Sequence, residues 1–250
     1  MLTVGWAFAA SAMHRQAERL DAIAHNLANA ATTGFKAAGV AFDALLASAI
    51  VPASLGDAGG APPRVLAART AIDLRPGPIL ATGRPLDAAI EGPGFFVVAG
   101  PRGPELTRAG AFTRDAQGRL VTLDGLPVLG EDRQPVALPP AGEVRLAADG
   151  AVLGDGAPVA RLLLVDVPVG RLRRTEAARF RPAPGTALGP APVRLIPGAL
   201  EGANVNPVLA LVELIDALRI YEAAQRAVRQ IDDTVGRAIH DVGRLTGGSA

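Results

Sequence analysis

The side chains able to do chemistry are few in this 250-residue chain: three histidines (His14, His25, His240), four serines (Ser11, Ser48, Ser54, Ser249), one tyrosine (Tyr221) and no cysteine. That inventory supplies little for nucleophilic or acid–base catalysis, and without thiols there is neither a disulfide nor a thiolate metal site. His14 and His25 share a face if helical, because their spacing is close to three turns, but a metal needs a third ligand beside them. The carboxylate pairs Asp87 with Glu91 and Asp232 with Asp233 stand in a turn-rich stretch and on a charged helical face, with no imidazole at a useful spacing. Gly92-Pro93-Gly94 leads into the β-prone run Phe95-Phe96-Val97-Val98 and not into a helix, so it reads as a turn entering a strand. The sequence predicts no catalytic residue, no cofactor, no metal site and no small-molecule substrate.

The polar residues that do carry information are amides. Asn26 and Asn29 lie near the end of one predicted helix, and Asn204 and Asn206 precede another, so both junctions hold side chains that can satisfy orphan backbone groups. They are read as caps that also fix how helices and β-domain join.

The helices themselves follow from where proline is absent. All 21 prolines, and 22 of the 29 glycines, fall between Pro52 and Pro207, leaving both ends free to be helical. Trp6, Met13, Leu20 and Leu27 recur every seven residues, with Ala9, Ala10, Ala17, Ile23 and Ala24 beside them, predicting an amphipathic helix from Thr3 to Asn29. Gly34 is the expected left-handed closing residue. At the other end, Asn206 as cap and Pro207 at the first helical position open a second helix running to about Arg244. Leu214, Tyr221, Val228, Val235 and Val242 repeat by seven, and Leu211, Leu218, Ile231 and Ile239 widen the stripe. Glu222 with Arg226 and Asp233 with Arg237 place i,i+4 pairs on the opposite face. Two long helices with narrow apolar seams must bury them against each other, against neighbouring subunits, or both.

Between the helices, short β-candidates appear at 106–108, 111–114, 120–122, 127–129, 144–146, 151–153, 159–167 and 193–196. Turn clusters such as Asp124-Gly125, Asp149-Gly150 and Asp155-Gly156 separate them. This spacing predicts an antiparallel domain, partly barrel-like or sandwich-like. Val51 to Pro63 reads as a linker. The 25 basic and 24 acidic residues nearly cancel, which argues against nucleic acid or an anionic membrane as partner. No 18-residue apolar run supports a spanning helix. Ala10-Ser11-Ala12 has the look of a signal-peptidase site, but the apolar register runs through it, so no cleavage is expected.

The stretch Leu20-Asp21-Ala22-Ile23-Ala24-His25-Asn26-Leu27-Ala28-Asn29-Ala30-Ala31-Thr32-Thr33-Gly34-Phe35-Lys36 closely resembles the amino-terminal signature of the flagellar basal-body rod and hook family. Three further blocks agree, in order: 82–98, the set 106–112, 118–122 and 125–130, and 200–206 with 219–223. His25, Ala31, Pro93, Leu218 and Ala224 depart from the family's usual residues, and the segment from about 136 to 199 matches least.

The resemblance implies a structural, non-enzymatic axial subunit of α+β class. Its long N- and C-terminal helices form a coiled-coil-like stem around an inserted antiparallel, Gly/Pro-rich β-domain. It implies an axial core from 1–36 and 201–250, a connection over 37–80 and a β-domain over 81–200. The assembly interface expected is Trp6, Met13, Leu20, Ile23, Leu27, Leu211, Leu214, Leu218, Tyr221, Val228, Ile231 and Val235. The expected junction is Asn26, Asn29, Thr33, Gly34, Phe35, Asn204 and Asn206. Partners implied are further copies, other rod and hook subunits, and the flagellar type III export apparatus, with no cleaved signal peptide on the way to the periplasm-spanning rod. Length, the short linker after Ile50 and the Asn206-Pro207 start look more like a proximal than a distal rod subunit. The alternatives are a distal rod or hook-type subunit, an envelope hydrolase, or a monomeric envelope binding module.

Overall fold

A computed structural model describes residues 2–41, 69–176 and 178–246. The long helices fall where proline is missing: α1 spans Leu2–Ala28 and α2 spans Pro207–Thr246. The predicted linker at 51–63 lies outside the described residues.

Among the described residues seventeen strands lie between them. In chain order they are β1 (Ala38–Ala41), β2 (Arg69–Ile72), β3 (Ile79–Ala81), β4 (Ala88–Glu91), β5 (Phe95–Gly100), β6 (Gly103–Thr107), β7 (Phe112–Arg114), β8 (Leu120–Thr122) and β9 (Val144–Leu146). There follow β10 (Ala151–Gly154), β11 (Ala157–Arg161), β12 (Leu164–Asp166), β13 (Leu172–Glu176), β14 (Arg179–Pro182), β15 (Gly189–Pro190), β16 (Arg194–Pro197) and β17 (Ala199–Glu201). Among the described residues the strands from β3 to β17 pair antiparallel, as the turn spacing predicts.

The chain divides into two units. One comprises the described parts of Met1–Leu27, Ala38–Ala71 and Pro207–Ala250, which hold α2, nearly all of α1, and the ribbon β1–β2. Within it Gln16 donates its side-chain amide to the Ala217 carbonyl at 3.1 Å.

The other unit, Ala28–Ala37 with Ile72–Asn206, holds the rest of the sheet structure. Its largest sheet has the order β13-β14-β6-β5-β12-β15, which is open at both ends and not a closed barrel. The run Phe95-Phe96-Val97-Val98 explains why this sheet is central. Phe95 and Val97 point to a cluster with Leu106, Val165 and Phe180, while Phe96 and Val98 point to one with Leu120, Val128, Val152 and Leu195. An unbroken apolar run is what a strand covered on both faces requires. The Phe95–Phe180 and Phe96–Phe112 rings meet edge-on at 5.8 and 5.0 Å. Asp155-Gly156 closes the β10–β11 hairpin with positive φ at both residues, the geometry a two-residue turn needs.

Three expectations change. The predicted strand at 159–167 is two, β11 and β12, with Leu162 between them bridged to Gly130. The stretch 127–129 forms isolated bridges, not a strand. Gly34 does adopt a left-handed φ of 66°, but six residues past the end of α1, so it does not close the helix.

Candidate functional site

Two groups of residues remain after the ordinary core is accounted for. The first is the surface of the two helices. Side chains of Trp6, Ile231 and Val235 lie outside the described ones, although their backbones are helical. On α1, Met13, Leu20 and Leu27 are half-buried and Ile23 is buried. On α2, Leu214, Tyr221 and Val228 are half-buried, whereas Leu211 and Leu218 are 49% and 44% exposed. Val208, Leu209, Val212, Ile215 and Ile220 are exposed as well. This half of α2 thus presents many large aliphatic side chains to water.

The second group is the junction. Asn26 does not simply cap α1. Its amide nitrogen donates to the Ala38 carbonyl and its oxygen accepts from the Ala38 N–H, both at 2.8 Å, so one side chain pairs with a strand residue as a neighbouring strand does. Asn29 receives the Thr32 N–H and hydroxyl at 3.0 and 3.2 Å in the turn after the helix, and half-buried Thr33 continues it. Asn204 accepts from Ala37 N–H at 2.7 Å and donates to the Asp73 and Arg75 carbonyls at 2.8 and 3.1 Å. Asn206 stands immediately before α2.

Gly34 and Phe35 bring the turn into the β unit. Gly34 N–H donates to the Glu201 carbonyl at 2.7 Å, and Phe35 is fully buried. A Cβ at Gly34 collides with the backbone of Arg108 and Ala109. Gly34→Ala should therefore cost about 2–3 kcal/mol, combining left-handed strain with a backbone clash, as read from urea unfolding.

Sequence reasoning missed the charges behind this turn. Lys36, the only lysine in the chain, is fully buried and donates to Glu201 Oε1 at 2.5 Å and to the Arg75 carbonyl at 2.8 Å. Glu201, also buried, takes the Gly77 N–H at 3.0 Å and, through Oε2, Arg108 at 3.3 Å. Arg108 further donates to the Ile90 and Gly92 carbonyls at 3.3 and 2.7 Å. Arg174 lies over Phe35 and Phe180, 4.9 and 5.1 Å from their centroids, and donates to the Lys36 carbonyl. Burial pushes Lys36 below its ordinary 10.5 against the opposing pull of Glu201, and burial lowers Arg108 and Arg174 too. The one available signal was compositional: a lone lysine, beside a phenylalanine.

At the rim of the same cluster, the Arg75 guanidinium clasps Asp73 and holds its carboxyl below the ordinary 3.8. A depressed carboxylate stabilises the fold above its unfolded value, and that contribution disappears as pH falls through the folded value. The stability gap between the wild type and Asp73→Asn, measured by urea titration, should thus narrow from pH 7 to pH 3 and stay small, because Arg75 is exposed.

None of this is catalytic geometry. Among the described residues no group of three or more His, Asp or Glu could hold a metal, and no helix is long and apolar enough to cross a membrane. The segments at issue match three family descriptions: "Flagella basal body rod protein" over 7–36, "Flagellar hook protein FlgE/F/G D1 domain" over 89–154, and "Flagellar basal body rod FlgEFG protein C-terminal" over 196–240. The chain is 36% identical over 233 residues to flagellar basal-body rod protein FlgF of Escherichia coli, covering 86% of this chain and 88% of the relative. It belongs to the flagellar basal-body rod and hook family. FlgF of Rhizobium meliloti is 31% identical, with 90% and 92% covered. Flagellar basal-body rod protein FlgG of Agrobacterium fabrum is also 31% identical, with 91% and 95% covered. As a member of the rod and hook family the chain is a structural rod subunit, and membership implies assembly with other rod and hook subunits in the flagellum.

Proposed function

We propose that this subunit builds the rod by polymerising through the apolar faces of α1 and α2, which pair as a coiled-coil-like stem in the tubular wall. The observation that carries this reading is the row Leu211, Val212, Ile215 and Leu218, each 44–52% exposed in a single chain. Burying such a row between copies returns about 25 cal/mol per Å² of apolar surface, repeated at every subunit. The axial core is assigned to 1–36 and 201–250, the connection to 37–80 and the outward-facing domain to 81–200. The turn 29–37 and the stretch 199–206 anchor that core, being hydrogen-bonded to one another through Gly34, Ala37, Glu201 and Asn204.

A proximal place in a periplasm-spanning rod is favoured by the FlgF relatives, by the chain's length and by the Asn206-Pro207 helix start. Export by the flagellar type III apparatus without cleavage belongs to the same reading, since the heptad of α1 runs through Ala10-Ser11-Ala12. A tag on the β11 edge, visualised on isolated basal bodies, tests the placement. Label confined to the proximal rod is expected; label at the distal rod, at the hook, or absent from the basal body overturns it.

A further inference from the structure

Within the β unit, the loop 83–85 after β3, the strand β9 with its flanks, and the turn at 197–198 enclose a cleft of about 480 Å³. That size suits a small ligand. The segments around it are tied to one another. Leu146 N–H donates to the Pro85 carbonyl at 3.0 Å, Leu195 N–H to the Ala148 carbonyl at 2.9 Å, and Gly83 N–H to the Gly198 carbonyl at 3.0 Å. The cleft is therefore already formed in the empty chain, and a ligand entering it does not have to order its walls.

The lining mixes apolar and charged groups: Pro85, Leu153 and Pro197 on one hand, Arg84, Glu143 and Arg145 on the other. Strand alternation puts Glu143 and Arg145 on the same side of the chain at β9, two residues and thus about 6.7 Å apart. Both are exposed, and among the described residues neither enters an ion pair. The neighbouring carboxylates are engaged elsewhere. Asp87 is buried and accepts from Arg84 Nε at 2.8 Å, which leaves the two terminal nitrogens of that guanidinium for the cleft. Asp149 pairs with Arg161 at 2.8 Å, and Asp155, which accepts the Glu143 N–H at 2.9 Å, does not line the cleft. One unpaired anion and one unpaired cation, with half of a second cation beside them, call for a ligand that carries both signs of charge.

We propose that this cleft binds a zwitterionic dipeptide in extended form, its ammonium on Glu143 and its carboxylate on Arg145 and Arg84. The charged ends of an extended dipeptide stand about two residue rises apart, roughly 6–7 Å, which matches the spacing of Glu143 and Arg145. A single amino acid is too short to reach both, and a longer peptide overshoots. The guanidinium forks suit a carboxylate, which takes two parallel hydrogen bonds from one of them. Leu153, opposite Arg145 in the sheet register, and the two prolines receive small aliphatic side chains between the ends. This binding goes beyond the rod reading and does not depend on how the helices assemble.

The test is calorimetric titration of the purified full-length chain with alanyl-alanine. Saturable one-to-one binding is expected, and acetylating the amine or amidating the carboxylate should each weaken it about tenfold, the loss of one charged contact. Glu143→Gln and Arg145→Gln should weaken the unmodified dipeptide by a similar factor. Both side chains are exposed, so the melting curves of these variants should match the wild type and separate lost binding from lost folding. In Glu143→Gln the acetyl group should no longer matter, which a purely structural effect of the substitution would not produce. Free alanine and tetra-alanine should bind at least about tenfold more weakly than the dipeptide. No saturation by about 10 mM, equal binding of blocked and free dipeptides, or unchanged binding in both variants overturns the proposal. So does inorganic phosphate that displaces the dipeptide at equal concentration, since the cleft would then read negative charge alone.

Discussion

Glu201→Ala should destabilise the β unit by about 3–5 kcal/mol, because it strands the ammonium of Lys36 and the guanidinium of Arg108 in the interior without an anion. For a domain of this size that amounts to a fall in Tm of roughly 6–20 °C by calorimetry. The loss exceeds that of an ordinary hydrogen bond, about 1 kcal/mol, because the cost lies in the charges left behind and not in the bonds removed. The triple replacement Lys36→Met, Arg108→Met, Glu201→Leu should recover most of it, since a buried ion cluster exchanged for apolar residues of similar volume is often neutral or better. A single-variant loss below about 1 kcal/mol would show that the cluster is hydrated and not a sealed junction.

Leu20→Asp or Val228→Asp should abolish incorporation into the rod while leaving the β unit folded. Both side chains are half-buried on the helices, so each carboxylate enters the seam through which assembly is proposed to run. A penalty of about 3 kcal/mol at one contact lowers association roughly 100-fold, and it recurs at every copy. Rod content of basal bodies, quantified by immunoblot beside the melting curve of the purified variant, separates failed assembly from failed folding.

What was legible in the sequence is what local periodicity encodes. The opening of α2 at Pro207 follows from a residue that fits only the first turn of a helix, and β8 and β9 fall where they were expected because short segments with leucine and valine are bracketed by turns. The hairpin β13–β14 was missed since four arginines interrupt it. Arg179 and Arg181 are neutralised by Glu105 on β6, and Arg174 is sandwiched on aromatic rings, arrangements that only the folded chain creates. The junction amides were found but their partners were not: Asn204 reaches residues 37, 73 and 75, and no spacing rule links those positions. The exposure of Leu211 and Leu218, against the partial burial of Leu214 and Tyr221, likewise needed the helix to be set beside its neighbour. A heptad shows that a seam exists without telling which of two adjacent stripes is sealed within the chain.

Amide hydrogen exchange of α1 and α2, compared between dilute purified chain and isolated basal bodies, bears most directly on the claim that assembly covers what a single subunit leaves in water. Exchange should be rapid in the lone chain and at least about 100-fold slower in the rod, with the β unit equally protected in both. Helices already as protected in the dilute chain as in the rod would contradict it.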